Sequence, residues 1–207
     1  MVDLAVAAVM YVGAQVAKKG TDHLSEEFWK RVKSLVGWGN EVVTPEVAPT
    51  SAEVATAVAA APSLAGDLAS VWQESTALRR MKLVAPCLEG ARVLWIDDAP
   101  ANNSWERRLF QFFGVTCVTA ESTASGLSLL RAEPFDLIIS DIARGGNASE
   151  GTQALPKLRQ LLAVPVIFYV GRVTDAAPAG SAGITAEPDE LIHLVLDQLE
   201  RKRIPVE

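Results

Sequence analysis

The sequence is poor in the residues that build disulfide frameworks and histidine–cysteine metal centres. Its 207 residues include two cysteines and two histidines. Cys87 and Cys117 are too few for a disulfide scaffold, and a reducing cytoplasm is the simplest context for them. A cytoplasmic protein is therefore expected, without zinc-finger or disulfide chemistry.

Positive charge is also scarce. Nineteen Lys and Arg face 25 Asp and Glu, and the formal net charge is −6. Proteins that bind nucleic acids need clustered Lys and Arg to contact phosphates. Nucleic acid is therefore excluded as the main partner.

No apolar run is long enough for a typical membrane span. The longest begins near the amino terminus, at residues 4–17, and Lys18 and Lys19 follow it. A transmembrane helix needs about 20 apolar residues, and a signal peptide carries its basic residues before the apolar run. We expect a buried or self-associating helix. Insertion into a membrane is the alternative, and a signal peptide is the least favoured reading.

The first 82 residues have the pattern of a small all-helical module. Helices are predicted at 2–19, 25–36, 51–60 and 62–80, with Ser51 as the cap of the third. His23 stands alone, and the module has no cluster of His, Cys or acidic residues at catalytic spacing. We therefore expect residues 1–82 to serve interaction or assembly, and residues 83–90 to form a linker.

Two short apolar runs that end in acidic residues organise the rest of the chain. They are Ala91-Arg-Val-Leu-Trp-Ile-Asp-Asp98 and Phe135-Asp-Leu-Ile-Ile-Ser-Asp141. Such runs are typical of strands buried on both faces of a parallel sheet, whose carboxyl ends meet at one edge. Asp97, Asp98 and Asp141 should therefore lie together. Three carboxylates repel one another unless a cation lies among them, and oxygen ligands favour Mg²⁺ or Ca²⁺.

Strands and helices alternate from residue 91 to residue 202. Strands are predicted at 93–96, 115–119, 135–140, 164–170 and 183–185, with helices at 103–113, 122–132, about 152–162 and 189–201. A weak or broken helix is expected at 171–179, since Pro178 and nearby glycines disfavour a long one. This pattern predicts an α/β, flavodoxin-like, doubly wound five-stranded parallel sheet of order 2-1-3-4-5. Residues 203–207 remain as a tail.

The acid-bearing strands resemble those of the response-regulator receiver domain. The first run, followed by Pro100, is similar to the first strand and acid pair of that family, and the second to the strand that presents its phospho-accepting aspartate. The segments 165–169 and 183–188 resemble the fourth strand and the fifth strand with its trailing proline. The resemblance covers residues 91–202 and does not extend to residues 1–82.

The resemblance implies a set of roles. Asp97, Asp98, Asp141 and the backbone carbonyl of Ala143 would bind Mg²⁺. Asp141 would also be the nucleophile that attacks a phosphodonor. This chemistry is coherent, because a carboxylate can attack phosphorus in line while Mg²⁺ offsets the developing charge.

Two positions depart from the family. A Ser or Thr normally ends the fourth strand, whereas this chain has Val170. A Lys normally precedes the proline after the fifth strand, whereas this chain has Glu187, so an anion replaces a cation. Arg144 and Arg172, in loops at the same sheet edge, are candidates to supply the missing positive charge.

These departures favour a degenerate receiver-like domain that works as a protein-interaction module in a signalling or assembly protein. Its surfaces would be residues 1–82, through a partner or self-association, and the fourth-strand face. The main alternative is an atypical phospho-receiver that uses Asp141; against it, the three acids could simply form turn and loop hydrogen bonds. Further alternatives are a Mg²⁺-dependent hydrolase on the same fold and a membrane-anchored effector. No enzyme activity beyond self-phosphorylation is expected, because no His, Lys or Ser completes a catalytic set near the acids.

Overall fold

The computed structural model describes residues 2–19, 50–60, 65–161 and 164–203. The helix predicted at 25–36 lies outside these ranges. By its packing the chain divides into two compact units, residues 1–83 with 101–112, and residues 84–100 with 113–207. The helix that follows the first strand therefore groups with the amino-terminal helices, whereas the sequence pattern assigned it to the α/β part.

The helical unit is built around one helix that is buried along its middle. Helix α1 spans Val2–Lys19, and residues 6–14 have little or no exposed surface. The other described helices of this unit surround it: α2 (Ser51–Ala60), α3 (Ala65–Glu74), α4 (Thr76–Leu83) and α6 (Ser104–Phe112). None of the described helices is long and apolar enough to cross a lipid bilayer. The apolar run at 4–17 thus lies within a buried helix.

Helices α1 and α6 approach closely because α1 carries a glycine at the crossing. A Cβ atom added at Gly13 would lie 2.1 Å from the indole ring of Trp105. Trp105 is itself buried in this unit. The contact therefore requires a residue without a side chain on α1.

Local hydrogen bonds correct two helix boundaries. The Thr50 hydroxyl accepts from the N–H of Glu53 at 3.3 Å, and the Glu53 carboxylate accepts from the N–H of Thr50 at 2.7 Å. The cap of α2 is therefore Thr50, not Ser51. The single helix predicted at 62–80 is broken at Ser75, whose hydroxyl accepts from the N–H of Leu78 and starts α4. The predicted linker holds a short helix, α5 (Ala85–Leu88).

The second unit contains a five-stranded parallel sheet of order β2-β1-β3-β4-β5, and the predicted fold class is confirmed. The strands are β1 (Arg92–Ile96), β2 (Thr116–Ala120), β3 (Leu137–Ser140), β4 (Val166–Tyr169) and β5 (Gly183–Thr185). A 3₁₀ turn, Pro100–Asn103, follows β1. The remaining helices are α7 (Thr123–Ala132), α8 (Glu150–Leu161) and α9 (Pro188–Arg203). Strand β3 lies in the middle of the sheet, between β1 and β4.

Helices pack on the strands of this sheet, but the connection between β4 and β5 has no helix. Ser122 is the cap of helix α7 and forms a capping box with Ser125, which agrees with the predicted start of this helix. The helix packs on β1 and β2. Helix α9 packs on β3, β4 and β5. Residues 170–182 between β4 and β5 contain no helix, so the weak helix expected there is absent. The connection is mostly exposed and leaves an opening beside the sheet.

A continuous apolar core joins the sheet to α7 and α8. Its members come from β1 to β4, from residues next to β3 and β4, and from the inward faces of those two helices. They are Leu94, Ile96, Ala120, Leu130, Phe135, Ile138, Ala154, Leu155, Leu158, Val166, Phe168 and Val170. The same core buries the carboxyl ends of β1 and β3, where the polar residues of the next section begin.

Candidate functional site

Three carboxylates meet where β1 and β3 end. Ile96 pairs with Ser140 in the parallel register, so the residues that follow each strand are neighbours. Asp97, Asp98 and Asp141 each offer one carboxylate oxygen, and these oxygens lie within 4.8 Å of one another. The parallel pairing of two strands far apart in sequence is what brings the acids together.

Each of these carboxylates also accepts one backbone hydrogen bond. Asp97 accepts from the N–H of Ala99 at 2.8 Å, and Asp141 from the N–H of Ile142 at 2.7 Å. Asp98 accepts from the N–H of Gly145 at 2.9 Å. These bonds orient one oxygen of each group.

Burial raises the pKa of Asp141 above its usual value, because the half-buried carboxylate loses solvation. The hydrogen bond from Ile142 lowers this pKa, the neighbouring Asp97 raises it, Arg144 lowers it and Asp98 raises it. Like charges thus oppose ionisation of Asp141. A cation among the acids would relieve that repulsion.

The acids fit a hard divalent cation. Three carboxylate oxygens within 4.8 Å match the oxygen-rich ligand sets of Mg²⁺ and Ca²⁺. Ala143, two residues after Asp141, is exposed and lines an open pocket beside Asp141. Its carbonyl remains the predicted fourth ligand. A bound cation would supply charge neutralisation for an attacking or transferring oxyanion.

Arg144 is the residue that the sequence pattern describes least well. It follows β3 in a glycine-rich loop, yet its side chain is 1% exposed. The guanidinium donates to the hydroxyls of Ser140 at 2.7 Å and Thr123 at 2.8 Å. It also donates to the carbonyls of Asp141 and, at 3.4 Å, Ile96. Its positive charge is therefore held beneath the acids and does not project into the pocket.

A carboxylate completes this polar network. Glu150, the first residue of α8, lies with one oxygen 3.8 Å from Nε of Arg144. The same oxygen accepts from the Thr123 hydroxyl at 2.7 Å. Arg144 thus connects the ends of β1 and β3 with the first turns of α7 and α8.

The loop after β3 turns back sharply above this arginine. The backbones of Arg144 and Asn147 exchange hydrogen bonds of 3.1 and 2.9 Å. Gly145 and Gly146, with φ of 56° and 78°, supply the left-handed backbone that the turn needs. The turn directs the Gly145 N–H toward Asp98. Gly145-Gly146 therefore forms a turn that holds one of the acids in place.

The two positions that depart from the receiver pattern bring no hydroxyl or cation to Asp141. Val170 follows β4 with its side chain buried, and its N–H donates to the carbonyl of Thr185. Glu187 is exposed after β5. The hydroxyl of the buried Thr185 donates to Glu190 at 2.7 Å and accepts from the N–H of Glu187 at 2.9 Å.

An open pocket of about 580 Å³ lies beside Asp141 on the side of β4. Val170 and Arg172 contribute to its wall. Arg172 is exposed and has no hydrogen-bond or ion-pair partner within the part of the chain that the structure describes. Of the two arginines expected at this edge, one is therefore buried in a network and the other faces solvent.

Comparison with curated proteins finds response-regulator relatives of part of the chain. Transcriptional regulatory protein GlrR of Escherichia coli K12 is 30% identical over 120 residues, covering 54% of this chain and 27% of that protein. Protein PilH of Pseudomonas aeruginosa is 32% identical over 79 residues, covering 38% of this chain and 65% of that protein. The chain thus spans about a quarter of one relative and just under two thirds of the other. No family model matches the sequence.

Solved structures of receiver domains also align with about half of the chain. A receiver domain of a Francisella response regulator aligns at 23% identity and a TM-score of 0.48, over 55% of this chain and all of that one. The receiver domain of the hybrid histidine kinase CckA aligns at 27% identity and a TM-score of 0.42, over 53% and 99%.

Proposed function

We propose that this chain, whose region from β1 to α9 is a receiver-like domain, works as a protein-interaction module in a signalling or assembly protein, without a phosphorylation switch. The observation that carries the proposal is the replacement of both switch groups. Val170 has no hydroxyl to hold a phosphoryl group, and Glu187 adds a negative charge where an ion-pair partner is required. A phosphorylated Asp141 would have to find its stabilisation elsewhere.

Arg144 supports this proposal because it is not available to replace the missing lysine. Its guanidinium is buried and already bonds two hydroxyls and two backbone carbonyls. Rotating it toward a phosphoryl group on Asp141 would break most of those bonds. The acid edge is therefore built to keep one conformation.

The fourth-strand face is the proposed interaction surface of the domain. No helix covers the connection between β4 and β5, and residues 171–177 are exposed. Val173 in this connection is 42% exposed, which is unusual for a large apolar side chain in the described part of the chain. The predicted domain limits, 1–82, 83–90 and 91–202, and a role for residues 1–82 in assembly remain part of the proposal. Because residues 6–14 of α1 are buried within their own unit, a partner of residues 1–82 would use other surfaces.

A second function is favoured by the acid cluster itself. Three carboxylate oxygens within 4.8 Å of one another repel each other, so holding them together is unfavourable without a cation. Such a cluster suits a Mg²⁺-dependent phospho-receiver in which Asp141 accepts the phosphoryl group. In such a reaction a carboxylate oxygen of Asp141 forms a bond to phosphorus while the donor's leaving group departs with its electron pair. In the described part of the chain, Val170 and Glu187 at the two switch positions supply neither a hydroxyl nor a cation to hold the product.

Intact-mass measurement separates the two functions. The whole chain is incubated with Mg²⁺ and acetyl phosphate, beside Asp141→Asn and a receiver domain known to react. The interaction module predicts no phosphate increment in either form while the reference receiver is modified. An increment that disappears in Asp141→Asn would overturn the module and establish Asp141 as a phosphoacceptor.

A further inference from the structure

A second pocket lies at the opposite end of the sheet from the acids. Its volume is about 590 Å³, and it is formed where β3, β4 and β5 begin and where α9 ends. The acid cluster lies after the carboxyl ends of the strands, whereas the residues of this pocket precede β3, β4 and β5. The receiver-like site therefore does not account for it.

The pocket is positively charged although the whole chain is acidic. Arg159, Arg201 and Lys202 line it, against a single carboxylate, Asp136. That carboxylate already accepts from the N–H of Arg92 at 2.8 Å and pairs with Lys202. Among the described residues that line the pocket, three positive charges against one negative charge leave a net charge of +2.

The two arginines of this pocket have unused donors. Neither Arg159 nor Arg201 has a hydrogen-bond or ion-pair partner among residues 2–19, 50–60, 65–161 and 164–203. The Arg159 guanidinium lies directly over Gly180, where an added Cβ would be 2.0 Å from Nη1. Gly180, with φ of 86°, thus allows this arginine to lie against the pocket wall.

The wall also contains a buried hydroxyl without a partner. The Oγ atom of Ser181 is inaccessible to solvent and makes no hydrogen bond. Ser181 lies in the pocket between Gly180 and Ala182. A buried polar atom left without a hydrogen bond is unfavourable by about 1–3 kcal/mol in general, so its presence calls for an explanation.

We propose that this pocket binds a small organic phosphate. Arginine forks match the oxygens of a phosphate group. The Ser181 hydroxyl, which is closed to solvent in this structure, would have to turn toward the pocket to donate to the same group. A phosphate monoester carries about −1.5 to −2 charges at neutral pH, which matches the net charge of +2. The volume falls within the usual range for small-molecule sites, so there is room for an organic body beside Val164 and Pro165.

A simpler explanation exists for the cations. Arg159 lies in the last turn of α8, and Arg201 and Lys202 near the end of α9, where cations offset the partial negative charge of the helix. That explanation predicts that removing an arginine lowers stability slightly and that no anion binds. It does not account for the Ser181 hydroxyl.

Isothermal titration calorimetry on the whole chain tests the proposal. Glycerol 3-phosphate is the probe, glycerol tests the need for the phosphate, and inorganic phosphate tests the contribution of the organic body, all at constant ionic strength. Saturable binding of glycerol 3-phosphate is expected, with glycerol inert. Arg159→Gln and Arg201→Gln should each weaken the binding at least about tenfold, and Ser181→Ala should weaken it several-fold.

Arg131→Gln is the matched control, because Arg131 is an exposed arginine in the last turn of α7, outside the pocket. It should leave the affinity unchanged. No saturable binding at millimolar glycerol 3-phosphate, or equal weakening in Arg131→Gln, would overturn the proposal. Since none of these residues lies at the acid edge, the outcome does not depend on whether Asp141 is phosphorylated.

Discussion

Replacing Arg144 by methionine should destabilise the protein by about 2–3 kcal/mol. The change removes the guanidinium bonds to the Ser140 and Thr123 hydroxyls, at 2.7 and 2.8 Å. Hydrogen bonds to charged groups contribute about 1.5–3 kcal/mol each, and the breaking of a buried ion pair costs about 3–5 kcal/mol. The expected loss of about 2–3 kcal/mol lies at or below the lower end of the range for a broken buried ion pair.

The reason is that most groups abandoned by Arg144 keep another partner. The Ser140 hydroxyl still donates to the carbonyl of Asp141, and the Thr123 hydroxyl still donates to Glu150. The Ile96 carbonyl still accepts from the N–H of Asp141. The side chain of Glu150 is 29% exposed, so water can replace part of what it loses.

Urea denaturation followed by circular dichroism measures the effect. With a slope of about 1–3 kcal/mol per molar urea, the midpoint should fall by roughly 1 M or more. Arg144→Lys keeps the charge but not the planar fork and should lose about half as much. Arg172→Met removes an exposed arginine at the same sheet edge and should stay within about 0.5 kcal/mol of the wild type.

A double-mutant cycle tests the contact itself. Thr123→Val combined with Arg144→Met should show a coupling energy of at least about 0.5 kcal/mol, because the two side chains are bonded. If Arg144→Met is no less stable than Arg172→Met, the assignment of Arg144 as a buried counter-charge is wrong.

Two further changes test the acid cluster and the helical unit. Asp141→Asn should raise Tm by about 1–3 °C at neutral pH, since burial and Asp97 raise the pKa of Asp141 and its charge opposes folding. A pKa that is raised in the folded state makes the protein less stable as the pH rises through that pKa. The gain in Tm of Asp141→Asn should therefore vanish below the ordinary pKa of an aspartate. A gain in Tm that persists at such low pH would contradict the repulsion between the acids. Gly13→Ala should lower stability by about 1–3 kcal/mol although alanine favours helices, because its Cβ would overlap Trp105. Gly171→Ala, where an added Cβ meets nothing within 4 Å, is the control, and equal effects in the two variants would refute the close crossing of α1 and α6.

Much of the α/β unit follows from local sequence. Short apolar runs rich in branched residues formed β1 and β3, and parallel strands of consecutive βα units place their carboxyl ends at one edge. The strand pattern therefore placed Asp97, Asp98 and Asp141 at one edge of the sheet, and the pairing of β1 with β3 then brought them within reach of one another. Ser122 as a helix start was equally visible, because a capping box uses side chains three residues apart.

Other features depended on residues far apart in the chain. An arginine in a glycine-rich loop has the sequence character of an exposed residue, and its burial requires Thr123, 21 residues earlier, and Ile96, 48 residues earlier, to meet it. The grouping of α6 with the amino-terminal helices depends on Trp105 meeting Gly13. The break at Ser75 was missed because a buried serine can either continue a helix or start the next one.

The sequence by itself determined the strands and the sheet edge at which the acids lie, because both depend on local periodicity and on the geometry of parallel sheets. The tertiary structure alone decided where the charges of Arg144, Arg159 and Arg201 lie. Long flexible side chains take their position from the hydroxyls, carbonyls and backbone surfaces that packing brings to them, and no local pattern records those neighbours.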